Sequence, residues 1–444
     1  LEVVGAWNDW RDSYGTTEII RVGVAVSLDG GATWTDFHVR PPTQNQSSVE
    51  GDPMTCYDHR TGTLWAGGIS FSAGNKSGVF VARKNPGATT FQPSVMAKTS
   101  SWPDKGWMAA GIAPGNPNQT YVYCTYNEGC LRSTDMGTTW TGPVSLGYGL
   151  GYLPRVGPNG ELYVAYWDVG SGVKLARSLD GGQTFTTHHI ATRMDVWSTQ
   201  DGSRFPGDFR VPSLTYLAVD PNNGALYCVY FDTTGWVGGN RNVDLYFCKS
   251  VNQGTSWTTP VIINGDANPP GDQFWPWLEV DDNGRIHMVF YDSRHTAQND
   301  NVVHGMFDAY YSTSSDGGQS WSEFRLTPAS FDSYYDGLPR SNQFLGDYNG
   351  LGLAGNRVYP CYLSTQNLDS DIFVNVITVG LLGDLNCDGA VDGFDIQPFV
   401  LALTDPAGYA AQYPDCNRLL ADCNGDGVVD GYDIQPFVGL LVGR

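Results

Sequence analysis

The sequence predicts an all-β protein: a β-propeller of seven blades, or of six if its first and last units merge, followed by a small α-helical segment. Three observations predict it. The 444 residues include 55 Gly, 14 Trp and 24 Tyr, with only 16% charged, a balance that favours short strands and tight turns over helices. A unit of about 40 residues recurs along most of the chain. After Gly383 that repeat stops and the composition turns acidic, which divides the chain into a body, 1–380, and a tail, 383–444.

The unit is most complete in "GYLPRVGPNGELYVAYWDVGSGVKLARSLDGGQTFTTHHI". It reads as a strand, a turn, a second strand ending in an aromatic and Asp, a third strand, an octet and a fourth strand. Copies begin near Glu50, Trp107, Tyr152, Val211, Trp275 and Tyr348, and the opening "LEVVGAWNDW" reads as a second strand with no first strand before it. Four-stranded units of this length set around an axis are propeller blades. An unpaired edge is a liability, so a short segment before Leu1 is expected to complete the ring.

The octet appears as "SLDGGATW" (27–34), "STDMGTTW" (133–140), "SLDGGQTF" (178–185), "SVNQGTSW" (250–257) and "SSDGGQSW" (314–321). Its Asp can accept hydrogen bonds from its own turn, its Gly supplies a backbone conformation other residues resist, and its aromatic buries a large surface. Copies spread around a ring cannot all meet one substrate, so the octet reads as a staple between third and fourth strands. It resembles the Asp-box, or BNR repeat, of sialidases and related propellers, over about residues 1–380.

If the octet turns lie on one face, the second-to-third and blade-to-blade loops open on the other. Asp9, Asp168, Asp232 and Asp292 fall at equivalent places in the former, where each either caps its own turn or serves a site. The latter put Asp52, Asp104, Lys105, Arg155, Arg210, Trp275, Asp347 and Tyr348 near a central mouth. Aromatics stack on sugar faces and arginines pair with carboxylates. The resemblance to sialidases implies three arginines on a sugar carboxylate, an Asp acid/base and a Tyr–Glu pair. The expected assignment is Arg155, Arg210 and Arg294 as the clamp and Asp292 as acid/base, with Asp347 as a further catalytic candidate. Tyr348 is the expected nucleophile, with Asp104 and Trp275 as further substrate contacts; Glu128 and Glu161 are the candidates for the glutamate.

In the tail, "DLNCDGAVDGFD" (384–395) and "DCNGDGVVDGYD" (422–433) each precede "IQPFV". Asp384, Asn386, Asp388, Asp392 and Asp395 occupy positions 1, 3, 5, 9 and 12 of an EF-hand-type loop, with the Ala390 carbonyl at position 7 and Gly389 at the turn. Asp422, Asn424, Asp426, Val428, Asp430 and Asp433 repeat the pattern around Gly427. Two Ca2+ ions are therefore expected, with folding linked to them. Ile396, Phe399, Val400 and Leu403, and likewise Ile434, Phe437, Val438 and Leu441, share one helical face. The pair resembles a type I dockerin, which implies a cohesin-like partner; self-assembly is the alternative.

A formal charge of -21 argues against nucleic acid, and no apolar run is long enough to span a membrane. Of nine cysteines, Cys124 with Cys130 and Cys228 with Cys248 read as cross-strand bridges or as buried thiols, and Cys387 can bridge to Cys416, leaving Cys423 odd. Bridges would place the protein outside the cytoplasm. Two functional readings remain open: a secreted exo-glycosidase acting on an acidic terminal sugar of extracellular glycans, or a non-catalytic glycan-binding or assembly protein. A lyase is a third.

Overall fold

The computed structural model describes residues 2–11, 20–42, 49–71, 77–169, 172–193, 207, 209–237, 240–265, 271–295, 304–337, 344–355, 357–413, 416–424 and 428–443. Packing divides the chain into two units, Leu1–Gly352 with Pro360–Val374, and Leu353–Tyr359 with Asn375–Arg444.

The body is a seven-bladed all-β propeller. The first sheet has three strands, Val3–Asp9, Arg21–Ser27 and Thr35–Val39. Blades two to five are four-stranded meanders whose innermost strands are Val49–Asp58, Trp107–Ala113, Leu150–Val156 and Thr215–Val219. The sixth starts at Gln273–Val280 and carries an added strand, Phe331–Asp332, on its third strand. The seventh joins Gly350–Ala354, Arg357–Ser364 and Asp371–Val374, with Ile377–Thr378 pairing back onto Arg357–Ser364. Second strands such as Leu162–Asp168 and Ile286–Asp292 are buried almost throughout, as expected where sheets pack face to face with their neighbours.

The octets are staples. In each of the five, the Ser hydroxyl donates to the side chain two residues on and accepts from the Gly amide. The Asp, or Asn252 in its place, accepts the amide four residues on at 2.8–3.0 Å. The Trp indole donates to the Gly carbonyl in the four copies that have one. Partial burial works to raise the Asp180 and Asp316 carboxyls, but hydrogen bonds from Thr184 and Ser320 prevail and hold both down to about 2. The glycine is required at Gly318, where φ is 88° and a Cβ would sit 2.3 Å from the Phe247 ring.

Cys124 and Cys130 do not bridge. Register sets Cys124 opposite Leu131 and Cys130 opposite Thr125, so the two side chains leave opposite faces of the blade, one packing with Met54 and Trp65, the other with Tyr152 and Tyr166. Cys228 lies directly opposite Cys248, and both are free thiols. The single bridge is Cys387–Cys416. Titration of the unfolded, unreduced protein is expected to return seven thiols; five would show that Cys228 and Cys248 had joined.

In the second unit, helices Ile396–Thr404 and Ile434–Leu441 follow the two loops, with Pro406–Gln412 between them. Phe399 and Phe437 stack face to face at 3.9 Å. The predicted apolar faces are split: Phe399 and Phe437 turn inward, whereas Ile396, Val400, Ile434 and Val438 are exposed. No helix among the described residues is long and apolar enough to cross a membrane.

Candidate functional site at the propeller mouth

Three of the innermost strands carry a backbone irregularity near their start. Register slips between Gly51 and Met54, Leu150 and Leu153, and Phe274 and Trp277. Gly151 takes the left-handed conformation this requires at no steric cost, but Asp52 (φ 46°), Lys105 (φ 53°) and Trp275 (φ 47°) adopt it with a Cβ. Such strained residues persist only where their surroundings hold them, and bulges of this kind re-aim side chains beside functional sites.

Two of the three are tied into one network. Asp52 N–H donates to Asn8 Oδ1 at 3.0 Å, and Lys105 N–H donates to Asp52 Oδ2 at 2.7 Å. Lys105 Nζ reaches Asp347 Oδ2 at 2.5 Å and Asp104 Oδ1 at 3.6 Å. Arg210 adds Nε to Asp347 Oδ1 at 3.0 Å and Nη2 to Oδ2 at 2.5 Å, a bidentate pair, with its guanidinium 4.9 Å from the Phe344 ring centre. Three blades thus meet at the Asp347 carboxylate, and Asp52 and Asn8 tie in two more through the Lys105 amide. Lys105 and Asp347 are the buried layer, with side chains 7% and 5% exposed; Asp104 and Arg210, at 43% and 37%, face solvent.

The ionisation states divide. Burial works to raise Asp347, but Lys105 and Arg210 outweigh it and hold the carboxyl below the usual range. Burial works to lower Lys105, and Asp347, Asp52 and Asp104 keep it charged. Asp104 is raised, by burial first and then by Asp52 and Asp347, against the pull of Lys105. Two carboxyls on one ammonium with opposite shifts are a recognisable acid-and-anion arrangement.

Tyr348 lies beneath, its ring 5.4 Å from Trp107 and its hydroxyl donating to the Pro53 carbonyl at 3.3 Å. Burial, with Asp52 and Asp347 adding to it, keeps that phenol neutral well above its ordinary value, so Tyr348 is not placed as a nucleophile. Tyr126 does donate to Glu128 Oε2 at 2.9 Å, forming a Tyr–Glu pair, but its ring is wholly buried among Met54, Trp65 and Cys124. Glu161 instead braces the turn at Asn159.

The three-arginine clamp is not formed. Arg155 stands sixth in its strand, level with Tyr163 and Arg177 next to the octet. It pairs there with Glu279 at 2.6 Å over the Trp277 ring, at the end of the innermost strands away from the mouth. Arg294 turns to the edge of the sixth blade, to Asp292 at 2.6 Å and to Glu323 of the strand Ser322–Arg325 at 2.8 Å. Asp292 is fully buried against that arginine, so it is not an exposed acid/base at the mouth. Asp9 and Asp168 likewise pair within their own blades, with Arg11 and Lys174, and Asp232 accepts from Thr233 N–H. Trp275 is buried among Phe209, Phe274 and Tyr291 and offers no face to a sugar. Of the residues predicted at the mouth, Asp52, Asp104, Lys105, Arg210, Asp347 and Tyr348 meet there, with Lys105 as the central charge. Asn8 and Phe344 are contributors that the sequence did not single out.

In the tail, Asp384 Oδ1 and Oδ2 accept the amides of Asp388 and Gly389 at 3.1 and 3.0 Å. Asp395 accepts those of Leu385, Asn386 and Asp392. Asp433 does the same for Asn424 and Asp430. Asp384, Asp395 and Asp433 are fully buried, while Asp426 lies outside the described residues. Among the described residues no group of three or more His, Cys, Asp or Glu side chains is gathered closely enough for a metal ion. Asn386, Asp388, Asp392 and Asp430 line the same turns, bonded to amides of their own loops or, from Asn386, to Asp388. This is an oxygen-only donor set of the kind hard cations take.

No protein-family model and no curated protein matches the chain. Solved structures similar to it include a Hadza microbial sialidase, at 18% identity and a TM-score of 0.43, over 85% of this chain and 63% of that one. The intramolecular trans-sialidase from Ruminococcus gnavus, in complex with oseltamivir carboxylate, is 12% identical with a TM-score of 0.43, over 85% and 92%. Trypanosoma rangeli sialidase in complex with sialic acid is 13% identical with a TM-score of 0.42, over 84% and 52%. The chain thus spans less than two thirds of the length of the first and third of these.

Proposed function

We propose that the protein is a secreted glycan-acting propeller that hydrolyses the bond to an acidic terminal sugar at its mouth. The proposal rests on the half-buried pair of Asp104 and Arg210, open to solvent above the buried Lys105–Asp347 pair. Arg210 takes the sugar carboxylate. Asp104, protonated, gives its proton to the leaving glycosidic oxygen, while Asp52 accepts a proton from the water that adds its hydroxyl to the anomeric carbon. Asp347 acts as a positioning anion for both cations.

The raised Asp104 sets the pH dependence. Its acid form is present below its pKa and lost as pH rises through it, so kcat/KM falls on the alkaline side at a pH above the ordinary aspartate value of 3.8. On the acid side the rate falls as Asp347 gains a proton and releases Arg210, below that value. On a panel of fluorogenic sialosides and uronides, Asp104→Asn is expected to lower kcat by about 100-fold or more and to remove the alkaline limb. No turnover on any substrate of the panel overturns the reading. The unformed three-arginine clamp favours a second reading, a non-catalytic glycan-binding scaffold, which predicts binding of the same sugars without turnover.

The tail, in this proposal, is a calcium-loaded dockerin-like module that holds two Ca2+ ions, one through Asp384, Asn386, Asp388, Asp392 and Asp395 and the other through the equivalent loop. Its attachment surface is the twofold set of exposed apolar side chains, Phe394, Ile396 and Val400 with Tyr432, Ile434 and Val438, and its partner is a cohesin-like protein.

A further inference from the structure

Among the described residues the sixth blade is a five-stranded sheet, its added strand Phe331–Asp332 paired through Phe307 opposite Phe331. Just beyond it an aromatic corner stands on the surface. The Tyr334 and Tyr335 rings are 5.3 Å apart at 88°, and the His304 ring lies 4.4 Å from Tyr334 at 36°. All three are open to solvent, the tyrosines at 46% and 41% and the His304 side chain at 55%. Asp332 fixes the corner, its Oδ2 on His304 Nδ1 at 2.7 Å and its Oδ1 accepting Tyr334 N–H at 3.0 Å. Its carbonyl also accepts the Thr365 hydroxyl. Rings held this way are preorganised, so little side-chain entropy is lost when something binds.

The corner continues into the mouth. The next residue, Asp336, accepts the Phe344 amide through Oδ2 at 2.9 Å, and Phe344 is the ring beneath Arg210. A chain of contacts therefore links an exposed aromatic surface to the cation at the mouth.

We infer that this corner is a subsite for the neutral sugars next to the acidic terminal one, so that the ligand of the mouth is an oligosaccharide rather than a single sugar. The inference rests on the reading of the mouth as a glycan site. A pyranose offers an apolar C–H face and hydroxyls in one unit. The corner offers their complements, ring faces and an imidazole beside a carboxylate, within one patch.

The test compares 3′-sialyllactose with the 4-methylumbelliferyl sialoside, in turnover and in binding, and adds lactose as the neutral part alone. The wild type is expected to favour sialyllactose by about tenfold, one aromatic stacking contact, and to bind lactose detectably in ligand-observed NMR. Tyr334→Ala and Tyr335→Ala are expected to remove the preference and the lactose signal while leaving the aryl sialoside and the melting temperature unchanged. The inference is overturned if both substrates suffer equally, if the variants keep the preference, or if the wild type shows neither preference nor lactose binding. If the wild type ignores the aryl sialoside yet binds lactose in a Tyr334-dependent way, the mouth reading falls and the subsite stands.

Discussion

Replacing Lys105 by Met is expected to lower the unfolding free energy of the propeller by about 3–5 kcal/mol, the cost of leaving a buried charge without its partner. Asp347 would remain with only Arg210, whose side chain is 37% exposed against 7% for Lys105. Arg210→Met is expected to cost less, about 1–2 kcal/mol, because water already shares that guanidinium. Urea denaturation followed by tryptophan fluorescence measures both. The pH dependence separates a charge effect from a packing effect. In the wild type the folded-state pKa of Asp347 lies below its ordinary value of 3.8, so its contribution is present above 3.8 and lost as pH falls through the folded value. In Lys105→Met that depression shrinks. The gap between wild type and variant is therefore expected to narrow as pH falls from 7 towards 3. An unchanged gap would show that the methylene stem of Lys105, not its charge, carries the stability.

The repeat was legible because a period of identical turns leaves the same letters at each blade. Strand order within a blade and the role of Asp29 as a staple could be read from it, with the blade number narrowed to seven or six, and Thr33 and Ser27 do hold that carboxyl low. The mouth was legible only as a list of loops. Asp104, Arg210 and Asp347 lie 243 residues apart at the extremes of the sequence positions 104 and 347, and only ring closure brings them to one ammonium group. Arg155 misled because its strand begins at Leu150. Five residues at about 3.3 Å each carry it well over 10 Å down the sheet, away from the loop that its neighbours Leu153 and Pro154 suggested. Trp275 misled for a related reason: the bulge that marks the start of its strand rotates the indole into the aromatic core. Asp52 and Lys105 carry the same left-handed backbone as Gly151. A repeat position where glycine is the unstrained choice, but Asp and Lys stand instead, is a signal that an alignment of the blades against one another contains.

Removing calcium is expected to unfold the second unit selectively. Asp384, Asp395 and Asp433 are carboxylates with no exposed surface, and buried charges persist only when paired or bound to a metal. Amides of the loops meet part of that need, but amides do not neutralise the charge, and Asp388 and Asp395 act on Asp384 as like charges. If calcium supplies the missing charge, each site at about a thousandfold excess over its Kd contributes about 4 kcal/mol. Calorimetry of the full chain is then expected to show a transition that moves down by tens of degrees in chelator, since each kcal/mol is worth about 4–8 degrees in a segment of this size, while the propeller transition stays in place. Asp395→Ala and Asp433→Ala should each remove part of the calcium response. The Cys387–Cys416 bridge joins the first loop to the stretch before the second, so the chelated unit remains cross-linked and its refolding on adding calcium should be reversible. A tail transition indifferent to chelator and to both substitutions would mean that backbone amides alone satisfy these carboxylates, and the metal assignment would fall with it.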